Sequence, residues 1–123
     1  MSAATGGTAV HLNGTDADVH ALLVVLVKLA LADDSPDAAA WRADGLAVQR
    51  RLGAGRGTVE APRLNTLWYL AVEAAESDPI VQRLQTVSPT LPTTSPLSFA
   101  DLEAKTFALD AALECIRNAS SSG

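Results

Sequence analysis

Cysteine is almost missing from this chain: Cys115 is the single one in 123 residues. One thiol rules out an intramolecular disulfide and a zinc site of the usual Cys/His spacing, and it points to a reducing compartment, the cytoplasm. Aromatic residues are scarce, with two Trp, two Phe and one Tyr. A core must then be built from Ala, Leu and Val, a mix that favours helix over sheet. Basic charge is in deficit, nine Lys and Arg against fourteen Asp and Glu for a net charge of −5. That balance opposes a general nucleic-acid binder, whose phosphate contacts need a positive field.

Histidine is equally sparse. Neither His11 nor His20 has a second ligand at helical spacing, as an HExxH pair would provide, and Asp16 and Asp18 beside His20 are explained by the dipole of a helix start. No metal or cofactor is implied. No apolar run reaches the roughly twenty residues of a membrane span. The longest helix-like one, Val19–Ala32, has fourteen residues and follows two aspartates instead of a basic segment, so it reads as neither a transmembrane helix nor a signal peptide. The glycosylation-type triplets at Asn13 and Asn118 carry no assigned role.

That run is the most informative feature present. Its only polar residues are His20 and Lys28, and at about 100° per residue nearly every face of such a helix is apolar. It must be surrounded, by helices of its own domain or by a second copy of the protein, with Lys28 as its outlet to solvent.

The chain organises as an all-α, compact bundle of four to five helices. Residues 1–14 read as a mobile N-terminal arm, 15–118 as a single helical domain and 119–123 as a flexible tail. Thr15 and Asp18 make a capping-box-like start for a helix over 16–32. Ser35 caps a second helix with Pro36 in its first turn and Gly53 as its stop, burying Trp41, Gly45, Val48 and Leu52. A glycine-rich loop over 53–58 leads to a third helix over 59–76, with Leu64, Leu67, Trp68, Ala71 and Ala75 as its buried stripe. A short fourth helix near 78–86 is anchored by Ile80, Val81 and Leu84. The Pro/Ser/Thr-rich connection over 87–98 reads as a surface tether.

Ser98 and Asp101 then cap a last helix over 99–118. Its Phe99, Leu102, Thr106, Leu109, Leu113 and Ile116 follow heptad spacing, and Ala100, Ala104, Ala108, Ala111 and Cys115 form a second stripe of small residues. The small-residue face suits close approach of a second chain and makes Ala104, Ala108, Ala111 and Cys115 candidate contact residues. Tyr69, on the polar side of the third helix, is another candidate. So are Arg50, Arg51 and Arg56, in the one segment with an excess of positive charge, 42–63. The Arg residues splay around their helix instead of sharing a face, which disfavours groove reading.

Gly53, Gly55 and Gly57 could cradle a phosphate, but they lack the Lys-Ser/Thr of a P-loop and follow a helix where a dinucleotide fingerprint follows a strand. The expectation is a non-catalytic helical protein–protein interaction module, an adaptor, regulator or immunity-type protein, that binds a protein partner or a second copy of itself without membrane insertion. The alternatives are a small DNA-binding regulator using the Arg-containing second and third helices and a small enzyme or enzyme subunit with an inter-helical pocket.

Overall fold

A computed structural model describes residues 14–32, 35–55, 57–84 and 91–120. Helices follow one another as α1 (Gly14–Ala32), α2 (Ala38–Ala54), α3 (Ala61–Glu76), α4 (Pro79–Leu84), α5 (Phe99–Glu103) and α6 (Leu109–Ala119), with no strand among the described residues. The fold is all-α. The expected N-terminal arm lies outside the described residues except Gly14, which already belongs to α1, and the expected tail except Ala119, which belongs to α6, and Ser120, its C-cap.

α1 is the axis of the bundle. Val19, Leu22, Leu23, Leu26, Val27 and Leu29 are completely shielded from solvent, and Val24, Val25 and Leu31 pack partly buried against the same core. The covering comes from α2, α3, α4 and α6 of the same chain. Its all-round apolar surface is thereby satisfied without a second copy.

Lys28 is not the solvent outlet expected. Its side chain is 20% exposed, and Nζ lies 2.9 Å from Asp78 Oδ2 and 5.6 Å from the centre of the Trp41 ring. The same Asp78 accepts from Ile80 N at 2.8 Å through Oδ1, so one carboxylate opens α4 and ties it to α1. These bonds, the one from Lys28 first, hold the Asp78 carboxyl below its ordinary range.

α2 buries the expected face of Trp41, Gly45, Val48 and Leu52. Its ends differ from expectation. Ser35 does not cap it: the helix starts at Ala38, and Ser35 Oγ instead accepts from Asp37 N at 3.0 Å inside the preceding turn. Gly53 does not stop it either, since the helix reaches Ala54 and Gly55 N closes onto Arg51 O and Leu52 O. Two glycines instead permit close approach. A Cβ on Gly45 would stand 3.0 Å from Val25 Cγ1, and one on Gly53 3.1 Å from Glu103 O. Gly57 is tighter still, as a Cβ there would stand 2.8 Å from Thr15 Cβ.

α3 buries Leu64, Leu67, Trp68, Ala71 and Ala75, as its spacing predicts. At the start of the bundle Arg63 donates to Asp16 Oδ2 from Nε at 2.7 Å and also from an Nη nitrogen, which neutralises a carboxylate only 3% exposed and raises the Arg63 pKa. In α4 Val81 is buried and Ile80 partly so, while the side chain of Leu84 lies outside the described residues.

Over 91–98 the connection before α5 is a packed strap, where the sequence suggested a tether; residues 87–90 of that expected tether lie outside the described residues. Trp68 Nε1 donates to Pro92 O at 2.8 Å, Ser95 N donates to Asn65 Oδ1 at 3.1 Å, and Leu97 is 5% exposed. Proline-rich backbone lacks internal partners, so α3 side chains supply them.

The continuous last helix expected over 99–118 is broken in two. The Ser98–Asp101 capping box starts α5 as predicted, with Asp101 N donating to Ser98 Oγ at 3.1 Å and Ser98 N to Asp101 Oδ2 at 2.9 Å. Ala104 then turns extended, at φ −60° and ψ 138°, and helix resumes only at Leu109. In an unbroken helix Phe107 would lie about 140° round from Leu102. The break lets Leu102 and Leu109 be buried and Phe107 pack against the same core, while Thr106, the polar member of the heptad seam, is exposed. Gln49, on α2, holds the joint: Nε2 donates to Leu102 O at 3.0 Å and to Ala104 O at 2.9 Å.

Candidate functional site

The small residues expected on one helix face come from two elements. Ala104 is the C-cap of α5, Ala108 the N-cap of α6, and Ala111 and Cys115 lie one helical turn apart on α6. The break nonetheless brings all four to a single open groove of about 220 Å³, with Leu97 and Phe107 as apolar walls and Asp101 and Thr106 at its edge. Ala108, Ala111 and Cys115 are exposed and Ala104 is half-buried, whereas Ala112, at the floor of the same groove, is buried against the core. Cys115 is a free, exposed thiol.

Small side chains keep the α6 backbone close to this surface, so a second helix could approach it at short range. The groove is smaller than the roughly 300 Å³ at which pockets begin to enclose a small-molecule ligand. α6 carries Asp110 in its first turn and Arg117 in its last, both on the flank away from the groove. Asp110 is also the anchor of α6 on α2, since Arg42 Nη1 donates to its Oδ1 at 2.8 Å.

The arginine candidates separate. Arg51 Nη2 reaches Asp18 Oδ1 at 3.2 Å, tying the end of α2 to the start of α1, so a carboxylate expected to serve only the helix dipole is also an ion-pair partner. Arg50 is exposed beside a shallow surface depression shared with Glu103 and Lys105. Arg56 lies outside the described residues. With Arg42 on Asp110 and Arg63 on Asp16, three of the arginines in the locally basic segment answer carboxylates of their own chain.

Tyr69 is 59% exposed and with Leu46 makes up the exposed large hydrophobic residues among those described. Its hydroxyl donates to Glu73 Oε2 at 3.2 Å, one turn along α3. His20 is half-buried on α1, and among the described residues no three His, Cys, Asp or Glu side chains are grouped to hold a metal ion. No described helix is long and apolar enough to cross a membrane.

Two features escaped sequence reasoning. Gln49 is a lone amide on a helix face with no local motif, and its partners lie more than fifty residues away. Phe107 did carry a signal, an aromatic off the heptad seam with a polar Thr106 on it. Comparison of the chain with protein-family models, with curated proteins and with solved structures gives no match in any of the three.

Proposed function

We propose that the protein is a non-catalytic helical interaction module that self-associates through the groove at the α5–α6 joint. The observation that carries the reading is the exposed small-residue surface of Ala104, Ala108, Ala111 and Cys115, walled by Leu97 and Phe107. The occupant is a second copy of α6, laid antiparallel. In that orientation the small side chains of Ala108, Ala111 and Cys115 interdigitate with their copies across a two-fold axis. The role belongs in a reducing compartment, where exposed Cys115 stays a thiol.

The DNA-binding alternative draws less support, because Arg42, Arg51 and Arg63 each face a carboxylate of the same chain. Ala111→Arg tests the proposal. The position is exposed on α6, so the variant is expected to keep its circular dichroism spectrum and to elute at half the wild-type mass. A folded variant whose mass equals that of the wild type overturns the proposed interface.

A further inference from the structure

We propose that a cleft between α3 and the extended segment over 91–93 docks a basic segment of a partner protein by receiving one of its Lys or Arg side chains. The cleft measures about 320 Å³. Tyr69, Val72, Leu91 and Pro92 make its lining largely apolar, and Glu76 is the one charged side chain in it. Two hydrogen bonds border it, from Trp68 Nε1 to Pro92 O at 2.8 Å and from the Tyr69 hydroxyl to Glu73 Oε2 at 3.2 Å.

A Lys or Arg side chain matches this layout part by part. Its aliphatic stem covers Val72 and Leu91, while its charged head reaches the Glu76 carboxylate and the face of Tyr69. An acidic side chain would meet Glu73 and Glu76 as like charges, and a purely apolar one would gain nothing from Glu76. The strongly exposed Tyr69 ring, in a chain with five aromatic residues, thereby acquires a use. The cleft lies on α3, away from the α5–α6 groove, so the inference stands whether the protein is a monomer or a dimer.

The test uses the full chain, labelled with 15N, titrated with the amidated peptide Lys-Leu-Lys-Leu-Lys and with Glu-Leu-Glu-Leu-Glu as control. The lysine peptide is expected to shift the Trp68 indole N–H and the Tyr69 amide resonances saturably. Tyr69→Ala and Glu76→Gln, both at exposed positions, are each expected to weaken that binding about threefold or more, as loss of an exposed cation–π or ion-pair contact implies. Asp44→Asn, an exposed carboxylate on α2, should leave it unchanged. The proposal is overturned by no binding, by equal binding of the glutamate peptide, by insensitivity to Tyr69→Ala, or by an equal loss in Asp44→Asn, which would reduce the effect to the chain's overall acidity.

Discussion

Replacing Gln49 by leucine, of similar volume, removes the side chain that bonds α2 to the carbonyls of the α5–α6 joint. Gln49 is 9% exposed and its Nε2 donates to two carbonyls, Leu102 O and Ala104 O. Each bond contributes about 1 kcal/mol net, and a buried acceptor left without a donor costs a further 1–3 kcal/mol, offset by about 1 kcal/mol from the apolar burial of leucine. Gln49→Leu should therefore cost roughly 2–4 kcal/mol. In a urea melt with a slope of about 2 kcal/mol/M this moves the midpoint down by about 1–2 M at unchanged slope. Gln49→Glu should be worse at neutral pH, because an ionised carboxylate offers both carbonyls no donor, and should recover on acidification as it gains one. Unchanged stability in Gln49→Leu, within about 0.5 kcal/mol, would refute the view that α2 holds the break.

Lys28→Gln should cost about 1 kcal/mol, and because Asp78 titrates below its ordinary value when folded, the Lys28–Asp78 contribution is present above the unfolded carboxylate range and lost as pH falls through the depressed folded value. Acid melts of wild type and variant should accordingly converge at low pH, and a constant gap would contradict the pairing. Gly57→Ala should destabilise by about 1–3 kcal/mol through the clash with Thr15, and Thr15→Gly in the same chain should relieve most of it in a double-mutant cycle. Leu97→Ala should cost about 2–4 kcal/mol in denaturant unfolding if the strap is packed; a loss under about 0.5 kcal/mol would restore the tether.

The parts of the fold legible in the sequence are those set by local periodicity. The buried stripes of α2 and α3 follow from apolar residues at helical spacing, and the all-round apolar character of α1 from its near absence of polar residues. The Ser98–Asp101 cap is likewise local. What periodicity could not reach was decided by contacts distant in sequence. Residues 104–108 have no strong helix breaker, and beside the local turn bond from Phe107 N to Ala104 O the carbonyls of Leu102 and Ala104 are bonded by Gln49 on another helix. Lys28 reads as a solvent exit until Asp78 is brought beside it. The strap reads as a tether because proline and serine signal loops, and only the fold shows that Trp68 and Asn65 bind its backbone. The candidate surface was legible in part: Ala104, Ala108, Ala111 and Cys115 do share one groove, but through a turn between two helices instead of along one.

Self-association through the α5–α6 groove is read by sedimentation equilibrium of the wild-type chain over a hundredfold concentration range, under reducing conditions. The weight-average mass is expected to rise from the 12.7 kDa of one chain toward twice that value, with Ala111→Arg remaining at the lower mass throughout. A wild-type mass of one chain across the whole range would contradict it.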